Sequence, residues 1–382
     1  MADDTALPEP DCVPGFPHPR AARRLVGQGD AERAFLDALA QGRLHHAWLL
    51  RGPRGIGKAT LAYKIARMMI AKPPDDGGGL FGDAISGVPE SLETPGDCPV
   101  QARIEAQSEP RLSVLRRTPQ PTTGRMRTEI VVDDVRAVRR FLSLSAADGG
   151  WRVIIVDDAD LMNRNAANAL LKFLEEPPAE TLFLLISHAP AGLLPTIRSR
   201  CRTLDLSPLG ATDLGLVLEA LGVAPEAKNA TALAQLSGGS VGDALRFVAG
   251  DGLELYRDLI GLLRNGGRID RAGIARMVER CAGRQNDETY RQLLDLIKLL
   301  VARLARAAGH GRPPPEAAPG EQALIARVAA TPEQGRLWAE LFAEVTARSR
   351  HAVAVNLDPG QTILDTFLQL DSTLARLNSV AA

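Results

Sequence analysis

One glycine-rich motif constrains the fold of this chain more than any other feature. The motif, Gly52-Pro-Arg-Gly-Ile-Gly57-Lys58-Ala59-Thr60, lies between a short apolar segment, residues 47–50, and an amphipathic stretch with helical periodicity. Glycines let a loop wrap closely around a phosphate group, so that backbone N–H groups at the start of a helix point at the anion. The strand before the motif and the helix after it favour a phosphate-binding loop, or P-loop, over an ordinary glycine-rich turn.

The motif departs from a complete ATP site at the residue after its lysine. Lys58 is expected to add positive charge at the β- and γ-phosphates, and the next residue is normally a Ser or Thr whose hydroxyl binds Mg²⁺. Ala59 stands there instead and cannot act as a ligand. Thr60 lies about 100° further round the helix, which directs it to the α-phosphate. Nucleotide can still bind at such a loop, but Mg²⁺ is expected to be held less well.

Two carboxylates follow a second buried strand, in the segment Val153-Ile-Ile-Val-Asp157-Asp158. Asp157 is expected to hold Mg²⁺, directly or through water, and the next residue to position the attacking water. That base is usually Glu, and Asp158 is one methylene shorter, which can lower the rate by a large factor. The alternative, that Asp158 and Asp160 cap the next helix or are solvated, stays open here. The predicted residues of this intact or vestigial ATP site are Gly52, Gly55, Gly57, Lys58, Thr60, Asp157 and Asp158.

Strands that alternate with helices predict a parallel α/β sheet in the first half of the chain. The stretch from about residue 73 to residue 128 is rich in Gly, Pro and Arg, and is predicted to be a partly flexible insertion with solvated arginines. After Pro208 the strand signals end and helical periodicity dominates. The predicted strands are residues 47–50, 152–156, 181–186 and 203–206.

Composition excludes several other classes of protein. The chain has 45 Lys and Arg against 46 Asp and Glu, whereas a protein that grips DNA alone usually has a basic excess. The cysteines are scattered singly, which indicates neither a disulfide framework nor a zinc site. No apolar run could span a bilayer, and Met1 to Arg20 is Pro-rich and acidic, which predicts a loose arm and not a signal peptide. A cytoplasmic protein without membrane contact is expected. The cysteines are Cys12, Cys98, Cys201 and Cys281.

Two further motifs establish a resemblance. Ile197-Arg198-Ser199-Arg200-Cys201 follows the third predicted strand, and Asn168-Ala-Leu-Leu-Lys-Phe-Leu-Glu-Glu-Pro-Pro178 follows the second. With the P-loop upstream, they make residues 20–382 resemble the clamp-loader family of AAA+ proteins. The resemblance implies that Arg200 is an arginine finger, which stabilises charge on the γ-phosphate of a neighbouring subunit. A surface arginine in a loop is the alternative for Arg200. A small-molecule P-loop kinase or an isolated AAA+ switch would explain neither the Ser-Arg-Cys segment nor the helical C-terminal domain.

The resemblance also implies a division into three domains. Residues 1–208 would form a P-loop AAA+ parallel-sheet domain of the nucleotide-binding type, which includes the insertion. Residues 209–252 would form a small helical lid. Residues 253–382 would form an all-helical collar that mediates oligomer contacts.

Two classes of subunit within that family compete for this chain: an ATP-hydrolysing gamma/tau-like motor and a delta-prime-like subunit. Ala59 and Asp158 favour the second class, and so does Gly242, because motor subunits resemble G-S-x-R-D-A-L where this chain reads Gly239-Ser-Val-Gly-Asp-Ala-Leu245. Arg246 could substitute for the missing arginine only from a helical turn away. The segment from Trp338 to Phe367, which includes Asn356-Leu-Asp-Pro-Gly-Gln361, resembles the end of alphaproteobacterial delta-prime proteins.

The delta-prime resemblance implies a subunit of the DNA polymerase III holoenzyme whose own ATPase activity is weak or absent. It would help a hetero-oligomeric clamp loader to place the sliding clamp on primed DNA, with Arg200 supplied to a neighbouring ATPase subunit. Its expected partners are the gamma/tau motors and the delta subunit, and it would meet the clamp and DNA through the complex. ATP with Mg²⁺ is expected to bind weakly if at all, and no zinc or other metal site is expected.

Overall fold

The computed structural model describes residue 9 and residues 12–71, 91–94, 98–120, 122–143, 149–223, 227–264, 269–281, 287–355 and 357–380. Much of the predicted insertion and residue 356 of the C-terminal motif lie outside these described residues. The chain divides into two compact units, residues 1–221 with 240–242, and residues 222–239 with 243–382. The division into three domains stays a prediction.

The first unit is built on a five-stranded parallel sheet with the order β2-β3-β4-β1-β5. Every residue of β4 is buried, as is typical of a parallel strand covered on both faces. The predicted parallel α/β sheet is therefore confirmed. The strands are β1 (Ala47–Arg51), β2 (Leu112–Leu115), β3 (Arg152–Val156), β4 (Thr181–Ser187) and β5 (Arg202–Asp205).

Helices cover both faces of this sheet and bury two apolar cores. One core packs the sheet against α1, α2 and α3, and the other packs it against α4, α5 and α6. Asn163 caps α5, since its side chain accepts a hydrogen bond from the Ala166 N–H, and Pro177 follows where the helix ends. The helices are α1 (Gly29–Ala40), α2 (Lys58–Ala71), α3 (Pro99–Glu105), α4 (Val132–Ser143), α5 (Arg164–Glu175), α6 (Pro195–Arg198) and α7 (Ala211–Ala220).

Two expectations from composition are corrected in this unit. Residues 98–120 are not a flexible insertion, because they contain α3 and the edge strand β2, which pairs with β3. Residues 12–20 are not loose, because a 3₁₀ turn at Pro19–Ala21 packs against α2 and α3, and His18 is buried. Gly- and Pro-rich composition is a weak guide where a short segment gains its order from tertiary contacts.

The second unit consists of helices, as predicted for the chain after Pro208. Its two longest helices, α12 and α14, pack against each other. Its core contains a buried polar cluster in which Tyr256 and Arg303 both donate to Glu321 at 2.6 Å. None of the helices that the structure describes is long and apolar enough to cross a membrane. The helices are α8 (Ala227–Ser237), α9 (Val241–Ala249), α10 (Gly252–Leu263), α11 (Arg271–Cys281), α12 (Asp287–His310), α13 (Glu321–Val328), α14 (Pro332–Val355) and α15 (Pro359–Val380).

Candidate nucleotide site and arginine finger

The glycines of the P-loop are required by the path of its backbone. The loop connects β1 to α2, and Gly52, Gly55 and Gly57 have φ values of +144°, +75° and +100°, which other residues adopt only with strain. A Cβ atom on Gly52 would lie 2.5 Å from the carbonyl oxygen of Leu206. The loop therefore passes too close to the end of β5 for any side chain at residue 52.

Lys58 is turned back onto its own loop. Its ammonium donates to the carbonyl oxygen of Gly52 at 2.6 Å and also to that of Pro53. The residue is only 3% exposed, and burial lowers the pKa of Lys58 to about 8 even though Asp160 opposes that shift. The charge predicted to meet a phosphate is thus engaged by two carbonyl oxygens of the P-loop.

The first turn of α2 contains Ala59, the alanine that replaces the usual Ser or Thr of a P-loop. The helix begins at Lys58, so Ala59 and Thr60 both lie in this turn, and both are half-buried. The methyl group of Ala59 packs against the apolar core between the sheet and α2. A hydroxyl at residue 59 is what a P-loop offers to Mg²⁺, and this chain has a packing contact there instead.

Asp158 is the hub of an ion-pair cluster. Its Oδ1 lies 2.7 Å from Arg54 Nη2 and 2.7 Å from His188 Nε2, and its Oδ2 lies 3.6 Å from Arg117 Nη2. Burial would raise the pKa of this carboxyl, but the hydrogen bond from His188 and the charge of Arg54 hold the pKa at about 2. Both carboxylate oxygens therefore face cationic or donor groups of the protein itself.

The remaining acids have separate environments. Asp157 is buried, and its N–H donates to the carbonyl oxygen of Leu115 at 2.9 Å. Asp160 accepts from the N–H groups of His188 at 2.7 Å and Ala189 at 3.0 Å, so it joins the turn after β3 to the end of β4. Asp158 is buried and makes no side-chain cap to the turn that follows it. Neither capping nor full solvation describes Asp158 or Asp160.

Sequence reasoning missed three members of the Asp158 cluster: Arg54, Arg117 and His188. Arg54 follows β1, Arg117 follows β2 and His188 follows β4, while Asp158 follows β3. The carboxyl ends of parallel strands meet at one edge of a sheet, which is where such folds place their ligands. The position of each residue directly after a predicted or observed parallel strand is therefore the sequence signal that could have identified the three residues. The expectation that Arg117 lies on a solvated loop is wrong, because its side chain is only 20% exposed.

Two further segments fix the P-loop in place. The Gln28 amide donates to the carbonyl oxygens of Ile56 at 3.0 Å and Ser207 at 2.8 Å. The Gly242 N–H donates to the carbonyl oxygen of Gly55 at 3.2 Å. Gly242, where the sequence predicts the loss of a nucleotide-sensing arginine, therefore contacts the P-loop through its backbone.

Arg200 lies on the surface after α6, apart from the Asp158 cluster in sequence and in its contacts. Its side chain is 36% exposed, and Nη2 lies 2.9 Å from Oε1 of Glu175, which is 48% exposed. Nη1 donates to the carbonyl oxygen of Thr196 at 3.0 Å. The nearby residues Ile197 and Cys201 pack against the core, so the backbone that carries Arg200 is anchored on both sides.

The cysteines show no sign of metal chemistry in this structure. All four are free thiols, and burial raises the pKa of Cys201 to about 12. Within the described parts of the chain, no three His, Cys, Asp or Glu side chains are grouped as a metal site requires. The absence of zinc stays a prediction.

Comparison with known proteins finds a likeness within the first unit. The sequence model of the family described as "DNA polymerase III, delta subunit" matches residues 27–210, a range that contains the P-loop, Asp158 and Arg200. "DNA polymerase III subunit delta'" of Pseudomonas aeruginosa is 40% identical over 156 residues, 41% of this chain and 41% of that protein. Residues 27–210, just under half of this chain, therefore resemble the delta-prime subunits of DNA polymerase III.

Further similar proteins include another delta-prime subunit and a tau subunit of DNA polymerase III. The delta-prime subunit of Escherichia coli is 34% identical over 55% of this chain and 56% of its own length. DNA polymerase III subunit tau of Escherichia coli is 30% identical over 59% of this chain and 32% of its own length. The chain thus spans about two-fifths to a little over half of the delta-prime relatives. The alphaproteobacterial type stays a prediction.

Proposed function

We propose that the chain is a delta-prime subunit of a bacterial DNA polymerase III clamp loader. In this proposal it assembles with gamma/tau motor subunits and a delta subunit, and the complex loads the sliding clamp onto primed DNA. The observation that carries the proposal is a contrast between two charged residues. Asp158 is buried among Arg54, His188 and Arg117. Arg200, whose side chain is 36% exposed, contacts only the exposed carboxylate of Glu175 and the carbonyl oxygen of Thr196 among the polar groups that the structure describes around it.

The residues around the P-loop do not fit a site that hydrolyses ATP with Mg²⁺. Residue 59 is an alanine that packs in the core, so it offers no oxygen to the metal. Lys58 donates to carbonyl oxygens of its own loop, and Asp158 would have to leave its cationic neighbours before it could position a water. We therefore propose that nucleotide binds weakly if at all and that Mg²⁺ adds little to its affinity.

Arg200 is proposed to act on the ATP site of a neighbouring subunit. A guanidinium can donate two parallel hydrogen bonds to phosphate oxygens, which suits it to the charge that develops on the γ-phosphate in the transition state. To do so, Arg200 must exchange Glu175 for the phosphate. An exposed ion pair contributes only about 0–1 kcal/mol, so this exchange is energetically easy.

The test is a reconstituted loader with motor and delta subunits, sliding clamp and primed DNA. Arg200→Ala should lower DNA-stimulated ATP hydrolysis, since an arginine finger is worth on the order of 10³-fold or more at the site it serves. The matched control is Arg198→Ala, an exposed arginine two residues away in the same segment. Size-exclusion chromatography shows whether each variant still assembles. Equal hydrolysis by Arg200→Ala and wild type in an assembled loader would refute the finger.

A gamma/tau-like motor is the second candidate, because the match to tau covers more of this chain than either delta-prime match. The two candidates differ in the activity of the isolated chain. A motor should hydrolyse ATP with Mg²⁺, and Lys58→Ala should abolish that turnover. A delta-prime subunit should show neither the turnover nor the effect.

A further inference from the structure

A second centre of charged groups lies beside the 3₁₀ turn at Pro19–Ala21, and the proposed function uses none of its residues. Three donors converge on one oxygen of Glu9. Arg20 Nη1 lies 2.8 Å, Gln107 Nε2 2.7 Å and Arg116 Nη2 2.9 Å from Glu9 Oε1. The residues that meet here are up to 107 positions apart in the sequence. The second carboxylate oxygen of Glu9, Oε2, faces the imidazole ring of His18.

His18 completes the surroundings of this carboxylate. Its Nδ1 accepts a hydrogen bond from the Arg20 N–H at 3.0 Å, so the neutral ring carries its proton on Nε2. Nε2 faces Glu9 Oε2 at 3.4 Å. The ring is buried and meets Tyr63 edge-to-face, with 5.7 Å between the ring centroids. The imidazole is therefore fixed in the orientation that presents an N–H to a carboxylate.

The donors are positioned by the fold of the first unit and not by Glu9 alone. Arg20 ends the 3₁₀ turn, and Arg116 directly follows β2. Gln107 lies just beyond α3 with a left-handed φ of +55°, a conformation that glycine would adopt with less strain. The side chain of Gln107 donates a hydrogen bond to Glu9. This contact explains why the position carries glutamine even though glycine would adopt its backbone conformation with less strain.

A cavity of about 180 Å³ adjoins this centre. Arg20, Gln107 and Arg116 form part of its wall, and the apolar side chains of α3 and β2 form another part. Glu109 also faces it, but Arg103 at 2.7 Å and Arg111 at 3.2 Å neutralise that carboxylate. The lining residues are Arg20, Tyr63, Ile104, Gln107, Glu109, Leu112, Val114 and Arg116.

We propose that this cavity is a binding site for an acidic peptide. A carboxylate of the peptide binds Arg20, Gln107 and Arg116. A neighbouring apolar side chain of the peptide packs against Leu112 and Val114. In the structure, the carboxylate of Glu9 from the same chain contacts these three donors. A peptide from a partner protein must displace Glu9 before it can bind. This site is independent of the nucleotide loop and of Arg200.

A carboxylate fits the site better than a phosphate of nucleic acid. The donors converge on one oxygen from one side, and the mixed wall beyond them includes the half-buried apolar side chains of Leu112 and Val114. A phosphodiester would bring sugars and further charges to that wall, whereas a peptide brings an apolar side chain. The resident ligand, Glu9, is itself a carboxylate that follows Leu7 and Pro8 in the sequence.

The probe is a fluorescent synthetic peptide with the sequence of residues 4–15 and Cys12→Ser, and the receptor is the full-length chain with Glu9→Gln. Fluorescence anisotropy should show saturable binding to this variant. Wild type should bind about tenfold more weakly or worse, because its tethered Glu9 competes at a high effective concentration. A peptide with Gln in place of its glutamate should not bind.

Receptor variants then test the donors. Adding Arg116→Gln to Glu9→Gln should weaken peptide binding by about tenfold or more, as the loss of a charge-assisted hydrogen bond does. Arg116→Lys, which keeps the charge, should weaken it less. The matched control is Arg136→Gln, an exposed arginine on α4, and thermal melting monitored by circular dichroism verifies that each variant is folded.

Three results would overturn the proposal. One is the failure of Glu9→Gln to bind the peptide, and another is equal binding with and without Arg116→Gln. The third is a single-stranded oligonucleotide that binds Glu9→Gln with the same dependence on Arg116 and excludes the peptide. That result would assign the site to phosphate. None of these three results bears on the proposed role of Arg200, which the ATPase assay of Arg200→Ala tests separately.

Discussion

Arg200 Nη2 lies 2.9 Å from Oε1 of Glu175, the last residue of α5. The side chains of Arg200 and Glu175 are 36% and 48% exposed, so water screens the pair. Under the proposed function, Glu175 is the resting partner of Arg200. Glu175→Gln should change the free energy of unfolding by less than about 1 kcal/mol. In the reconstituted loader it should preserve or raise DNA-stimulated hydrolysis, since it frees Arg200. Urea unfolding and a steady-state ATPase assay measure the two effects.

The control for that prediction is Glu176→Gln, the adjacent exposed glutamate, which should leave both quantities unchanged. If Glu175→Gln reduced hydrolysis as much as Arg200→Ala does, the pair would be required in the active loader. The description of Glu175 as a resting partner would then be wrong.

Asp158→Asn should destabilise the first unit. It removes the negative charge from the cluster of Arg54, Arg117 and His188, and removing one partner of a buried ion pair typically costs about 3–5 kcal/mol. The loss should lie near the lower end of that range, because Arg54 is half exposed and can turn to water. Urea unfolding measures the loss, and Asp133→Asn, an exposed acid on α4, is the matched control. A change below about 0.5 kcal/mol, as for an ordinary surface substitution, would contradict the cluster.

The stabilisation by Asp158 should also depend on pH. Its pKa is about 2 in the folded chain, against an ordinary value of 3.8. A lowered pKa stabilises the fold by an amount fully present above the unfolded value and lost as pH falls through the folded value. The difference in unfolding free energy between wild type and Asp158→Asn should therefore shrink by about 2 kcal/mol from pH 5 to pH 2. Stability curves in urea at several pH values measure it, and a difference that stays constant would show that Asp158 is not held ionised.

Lys58→Ala should have little effect on the loader. The ammonium already donates to the carbonyl oxygens of Gly52 and Pro53, so its loss costs some stability of the P-loop but no essential contact to ATP. DNA-stimulated hydrolysis should stay near the wild-type rate, whereas the same substitution in a motor subunit of the complex should reduce it strongly. A comparable loss from both would mean that the site of this chain is a working ATP site.

Glu321→Gln should destabilise the second unit most among these substitutions. Glu321 is fully buried, and its two oxygens accept from Tyr256, Arg303 and the Ala317 N–H. A neutral amide leaves Arg303 buried without a counter-charge, at a cost of about 3–5 kcal/mol. Thermal unfolding measures this, with Glu279→Gln on the surface of α11 as the control. Equal melting temperatures of the two variants would contradict the prediction.

The sequence was a good guide where burial is continuous along the chain. β1, β3 and β4 read as uninterrupted apolar runs because helices cover both faces of the sheet. β2 was missed because only Leu115 is fully buried in this edge strand and arginines flank it. Local composition does not record the pairing with β3 that makes residues 112–115 a strand.

The sequence predicted the separate motifs of the candidate site but not the contacts between their side chains. The P-loop and the acids after β3 are contiguous motifs, so their spacing alone predicted them. Arg54, Arg117 and His188 reach Asp158 from the ends of three other strands, and Glu9 reaches Arg116 across 107 positions. Such contacts depend on strand order, which no local pattern contains.

The close approach of Gly52 to the Leu206 carbonyl has a consequence for the way such chains diverge. A glycine that the backbone needs for packing cannot be replaced even after the phosphate chemistry is gone. The glycine signature can therefore outlast the enzyme activity it is used to detect. In chains that resemble this one, the loop glycines alone therefore do not distinguish a working ATP site from a vestigial one. We expect the side chain at residue 59 and the neighbours of Asp158 to make that distinction.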